Sequence, residues 1–139
     1  MDRTYCVYNQ TRECFLSLNV KAADTTFARL RGLIGRLNLR PDEGLWVVPS
    51  RGVHTLGLLF PLDLIYLDEH HRVIHLVESF PSFRIGPLKT HAQSVLELPT
   101  HTIYSTHTQS GDQLVICVAE EMEQRLKTSE AVHTNGQLK

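Results

Sequence analysis

The feature that most constrains this chain is a succession of short apolar runs, each broken by turn-forming residues. Tyr5 to Tyr8, Cys14 to Val20, Leu45 to Val48, Leu62 to Tyr66, Val73 to Val77, Ser94 to Leu98 and Leu114 to Val118 are β-branched, aromatic or alternating. The polar stretches Asn9–Gln10–Thr11–Arg12, Pro41–Asp42–Glu43–Gly44, Asp68–Glu69–His70–His71–Arg72 and Ser110–Gly111–Asp112 separate them, and Pro49 and Pro99 close two of them. The pattern predicts an opening hairpin, a central hairpin around Asp68–Arg72, and further strands before Pro49, before Pro99 and after Asp112. Ile103 to His107 is ambiguous.

The period changes from Asp24 onward. Phe27, Leu30, Ile34 and Leu37 recur at spacings of three and four, with Asp24 or Thr25 available as N-cap, which predicts a short amphipathic helix. Gly32 and Gly35 each cost roughly 1 kcal/mol against alanine inside a helix, so they mark its end or a close backbone approach. Ala119 to Lys127, with Met122 and Leu126 one turn apart, predicts a short terminal helix. The expected fold is α+β and predominantly antiparallel β: one compact, barrel-like or sandwich-like domain over residues 1–127, followed by a flexible tail over 128–139. Leu33, Leu62, Leu64, Val73, Leu96, Leu98, Leu114 and Ile116 are the expected core.

Charge narrows the partners. The chain carries 14 basic and 15 acidic residues for a formal net charge of −1, so no global field steers it onto phosphate backbones, and nucleic acid is not expected as a partner. No stretch approaches the length of about 20 apolar residues that a membrane span needs. The first residues, MDRTYCVYNQTREC, lack the apolar core of a secretory signal, and a cytoplasmic protein is expected. Cys6, Cys14 and Cys117 show no C-x-x-C spacing and read as buried, reduced thiols; Cys6 and Cys14 facing each other across the first hairpin, as a bridge or around a metal, is the alternative.

The sequence holds no P-loop, no G-x-S-x-G, no H-E-x-x-H and no glycine-rich dinucleotide fingerprint. Its eight histidines are scattered, and His70 and His71 read as a solvated turn. The segment HTLGLLFPLDLIYLD, His54 to Asp68, is the most unusual, because it sets a histidine and two acids among apolar residues. Asp63 needs hydrogen bonds or a cation such as Arg36 to sit there. His54 reads as a satisfied, partly buried histidine, with ligand or general base as the alternative, and Glu97 reads as a surface residue of its strand. A cleft uniting His54, Asp63 and Glu97, or a two-histidine, one-carboxylate set of His54, His75 and Asp63, would suit a divalent metal or acid–base chemistry. No metal or organic cofactor is expected, because no ligand spacing demands one.

Three segments in order, TTFARLRGLIGR (Thr25 to Arg36), HTLGLLFPLDLIYLD (His54 to Asp68) and SVLELPTHT (Ser94 to Thr102), resemble a prokaryotic family known as domain of unknown function 192. The resemblance runs from about Asn19 to Val118. It implies a β-rich domain with one prominent helix and no established activity, and it points to Arg29, Arg36, His54, Thr55, Asp63 and Glu97 as candidate functional or structural positions. The chain departs from the family pattern at Ile34 and Leu58, where methionines are expected, and at His101, where a glycine is expected. Losing the methionines removes the thioethers that a copper site would use. The leading expectation is a non-catalytic binding or accessory module with a protein partner in a larger assembly. The competing one is a small hydrolase or metal-dependent enzyme using His54 and Asp63, with Arg36 orienting a carboxylate or polarising a substrate.

Overall fold

The computed structural model describes residues 3–23 and 36–137. The expected helix from Asp24, with Arg29, Leu33 and Ile34, lies outside the described residues. Seven strands form one sheet: β1 (Thr4–Asn9), β2 (Cys14–Ala23), β3 (Glu43–Val47), β4 (Leu62–Leu67), β5 (Val73–Phe80), β6 (Ser94–Leu98) and β7 (Leu114–Val118). Two helices accompany them, α1 (Thr102–Thr106) and α2 (Ala119–Gln137). The strand order is β5-β4-β6-β3-β2-β1-β7. Every neighbouring pair is antiparallel except β2 and β3, which run parallel. A parallel pair needs a long crossover, and residues 24–42 supply the chain for it.

The sheet curls into a half-barrel. The outermost strands β5 and β7 meet at one end, where Arg72 pairs with Gln113 in an isolated bridge. There the N–H of Val73 donates to the Asp112 carbonyl (2.9 Å) and the N–H of Leu114 to the His71 carbonyl (3.0 Å). Both faces of the centre are covered. Leu45, Val47, Leu62, Leu64, Tyr66 and Val95 join one buried cluster, and Val7, Val20, Ile65, Leu67, Leu96 and Leu98 join the other. A strand buried on both faces reads as a continuous apolar run, which is why β4 is LDLIYL with Asp63 as its single polar residue. Gly44 keeps the second cluster tight, since a Cβ there would stand 2.6 Å from the Leu98 side chain.

The expected strands form with small shifts at their ends, and the expected core residues in the described region are buried, save Ile116, which is half-buried against the second cluster. The ambiguous stretch after Thr102 is helical. The terminal helix runs to Gln137, well past Lys127, and is sustained by good helix formers and by Glu121–Arg125 and Glu123–Lys127 pairs. His71 departs from the expected solvated turn: it is half-buried, 5.4 Å from the Trp46 ring at a near-perpendicular angle. Burial lowers its pKa against the opposing pull of Asp68.

Candidate functional site

Asp63 is fully buried in β4. It sits opposite an irregularity in β5, where the register slips between Leu62 and Leu64, and Ser79 takes a left-handed backbone (φ 51°). That bulge turns the Ser79 N–H to Asp63 Oδ1 (2.9 Å). The other oxygen, Oδ2, accepts the N–H of Ile103 in the first turn of α1 (2.9 Å). Each carboxylate oxygen thus satisfies a backbone donor that would otherwise be stranded, and the side chain ties β4, β5 and α1 together. Arg36 is engaged elsewhere. Its guanidinium donates to both oxygens of Glu43 (2.6 and 3.2 Å), and this fork holds the Glu43 carboxyl below the usual carboxylate range despite its partial burial. Arg36 is therefore not the partner of Asp63, contrary to expectation.

Glu97 is also fully buried, not at the surface as its alternation suggested, because β6 lies between β4 and β3 with both faces covered. The ladder pairs Asp63 with Leu98 and Leu64 with Glu97. Partnered residues share a face and adjacent residues alternate, so Asp63 faces the second cluster and Glu97 the first. His75 pairs with Tyr66, and their rings meet at 5.3 Å on the Glu97 side. Burial and Lys89 lower the His75 pKa. Burial, with Glu97 nearby, pushes the Tyr66 phenol up to about 12, and its hydroxyl donates to the Pro87 carbonyl at 2.7 Å. Neither the His54–Asp63–Glu97 cleft nor the His54–His75–Asp63 set assembles, because the sheet stands between Asp63 and the other carboxylate and between Asp63 and His75. Among the described residues no group of three or more His, Cys, Asp or Glu side chains is placed to hold a metal ion.

His54 and Thr55 belong to a clasp between two loops. His54 bridges Ile85, and its Nδ1 accepts the Leu56 N–H at 3.3 Å. Thr55 is fully buried. Its N–H donates to the Arg84 carbonyl, its carbonyl accepts from Phe83 and Leu58, and its hydroxyl donates to the Pro81 carbonyl and accepts the Arg84 N–H. Gly86 lets the second loop close over the sheet, since a Cβ there would stand 3.0 Å from the Val53 carbonyl. Leu58, one of the departures from the family pattern, is fully buried in the first cluster beside Val53 and Phe60 and serves there as an ordinary apolar core residue. The two loops also carry five exposed large apolar side chains, Leu56, Leu59, Phe83, Ile85 and Leu88, exposed by 47% to 78%. The sequence reading missed this set. Its trace is the phenylalanine, isoleucine and leucine spread through the turn-rich PSFRIGPLK without alternation.

A second network also went unread. Asp112 is buried and accepts from Arg12 Nε (3.0 Å), Asn9 Nδ2 (3.0 Å) and the Gln109 N–H (2.9 Å). Burial alone would raise its carboxyl, but these donors outweigh it and hold the pKa below the usual value. Asn9 also reaches the Thr108 hydroxyl, so the network pins the loop after α1 to the first hairpin. Cys6 and Cys117 are buried thiols as expected and Cys14 is half-buried; the alternative Cys6–Cys14 pair does not form, since Cys14 stands opposite Asn9 and Cys6 opposite Cys117 on β7.

Residues 7–116 match the profile of the family described as uncharacterized ACR, COG1430, or DUF192. A UPF0127 protein of Thermococcus sibiricus is 30% identical over 121 residues, covering 81% of this chain and 75% of its own. Two solved structures share the fold. One, a protein of unknown function from Novosphingobium aromaticivorans, superposes with a TM-score of 0.65 at 19% identity, over 82% of this chain and 84% of its own. The other, from Sinorhizobium meliloti and provisionally described as a transcription regulator, has a TM-score of 0.66 at 20% identity, over 83% and 93%.

Proposed function

The chain belongs to the DUF192 family, and we propose that this member is a non-catalytic binding module that seats a protein partner on the ridge of Leu56, Leu59, Phe83, Ile85 and Leu88. The observation that carries this reading is that five large apolar side chains are held out to solvent on a clasp made rigid by buried Thr55. Several large apolar side chains exposed on one pair of hydrogen-bonded loops suit an interaction site. The two loop segments, 49–61 and 81–93, contain Arg51, Arg84 and Lys89 and no Asp or Glu, although the whole chain is net acidic by one charge. An apolar contact with a basic surround suits a partner whose own apolar contact is rimmed by acids. No nucleic-acid partner is proposed.

The competing hydrolase or metal-enzyme reading requires His54 and Asp63 at one reacting centre. It loses support because both Asp63 oxygens are already engaged by backbone N–H groups and Arg36 by Glu43. No described helix is long and apolar enough to cross a membrane. The three cysteines are free thiols, which fits a reducing compartment, and we place the module in the cytoplasm.

The test places negative charge on the ridge. Phe83→Asp with Ile85→Asp should leave the melting temperature near that of the unaltered protein, since both side chains are exposed, and should abolish recovery of the bound protein from the native host. A partner retained undiminished by the folded double variant would refute this surface.

A further inference from the structure

We infer that Cys6 and Cys117 form a dithiol site, closing to a disulfide between β1 and β7, with Met122 of α2 as its cover. The two cysteines are direct partners in the antiparallel register of β1 and β7. Direct partners share a face of the sheet and have Cα atoms about 4.5–5.5 Å apart, inside the span of about 4.4–6.8 Å that a disulfide bridges. Both are free and buried, and together with Met122 they make up one small buried cluster. Cys14 is excluded by its position opposite Asn9, and the Cys6 thiol, directed to the Leu18 carbonyl at 3.8 Å, leaves that contact when the bridge closes.

The cover is thin. Among residues 119–131 of α2, Met122 alone is buried, so one thioether seated over two thiols holds the start of a 19-residue helix against the sheet. Undocking that contact is a local opening and does not require the domain to unfold. While the helix is seated, burial raises both thiols above their ordinary values, with Glu120 adding to the effect at Cys6 and Glu121 at Cys117, where Arg125 opposes it. The seated pair is protonated and slow, and the opened pair is accessible to oxidant. With hydrogen peroxide, one sulfur is first oxidised to the sulfenic acid as the O–O bond breaks and a first water leaves. The second thiol then displaces the hydroxyl, a second water leaves, and the S–S bond forms, each sulfur having given up one electron.

The test uses the full chain, reduced, freed of reductant and exposed in its folded state to hydrogen peroxide. Free thiols should fall from three to one, with a mass lower by about 2 Da. A non-reducing peptide map should join Cys6 to Cys117, the melting temperature should rise, and dithiothreitol should reverse all of it. Cys14→Ser should close the same bridge, and Met122→Ala should close it faster. If the cysteine variants fold poorly, the peptide map of the unaltered chain decides alone. Three free thiols surviving peroxide, over-oxidation of single cysteines without a bridge, a bridge to Cys14, or only intermolecular links would overturn the site; closure no faster in Met122→Ala would overturn the cover.

Discussion

Asp63 and Glu97 occupy neighbouring rungs of the β4–β6 ladder and project to opposite faces of the sheet. Both are fully buried acids, although from sequence alone Glu97 reads as a surface residue and the two share a cleft with His54 only as an alternative. The pleat assigns them to different environments. Asp63 becomes a clasp for β5 and α1, and Glu97 enters the layer that contains Tyr66.

The clasp predicts a large stability loss on removing the Asp63 carboxylate. Hydrogen bonds to a charged group contribute about 1.5–3 kcal/mol each, and two buried backbone N–H groups lose their acceptor, so Asp63→Ala should cost about 3–5 kcal/mol in urea unfolding. Asp63→Asn keeps one acceptor oxygen and should cost less. An Asp63→Ala protein as stable as the parent would show that the clasp is incidental.

Core packing predicts a separate loss. Leu96 is fully buried between Trp46 and Ile65 on the ladder, and Leu96→Ala should cost about 2–5 kcal/mol by thermal or urea unfolding. An unchanged midpoint would contradict the two-faced core.

Acid should destabilise the protein in two stages. His71 and His75 have folded pKa values lowered by burial, so the unfolded chain takes up their protons first and stability falls once pH drops below about 6.5. Asp112 and Glu43 also have lowered folded values, so their contribution is complete above the unfolded carboxylate values of about 4 and is lost as pH falls through the folded ones. Melting temperature against pH should show both declines. His71→Gln should weaken the first and Asp112→Asn the second, and a flat profile from pH 7 to pH 3 would contradict both assignments.

Position 101 predicts a gain. His101 has φ 73°, in the left-handed region that glycine adopts without strain, and it is the position where the family pattern carries glycine. Relief of that strain exceeds the added freedom of the unfolded chain, so His101→Gly should stabilise by about 1 kcal/mol. A lower melting temperature would sink this reading.

The strands were legible because their runs are short, apolar and stopped by Pro49, Pro99 and the Asp68 and Gly111 turns. Their roles were less legible, because a role depends on register. Nothing near Asp63 or Glu97 in sequence says which face each takes, and Glu97 looked exposed only because the placement of β6 between two strands is a long-range fact. Thr55 is similar: its importance lies in the Pro81 and Arg84 backbone groups it meets across the clasp. Cys6 and Cys14 are close in sequence, yet β7 returns to pair with β1, so the partner of Cys6 is Cys117. The helix after Thr102 was unreadable from its own residues because TIYST is β-branched and aromatic, and the N–H of Ile103 bonded to Asp63 is what caps it.

The most direct measurement is site-specific photo-crosslinking in the native host, with the probe at position 85 on the ridge and, as reference, at position 104. Tyr104 is comparably exposed at 72% but lies on α1 and outside the clasp. The binding-module account predicts a discrete protein adduct from position 85, lost when Leu59→Asp is added and absent from position 104. No adduct at position 85, or the same adduct from both positions, would contradict it.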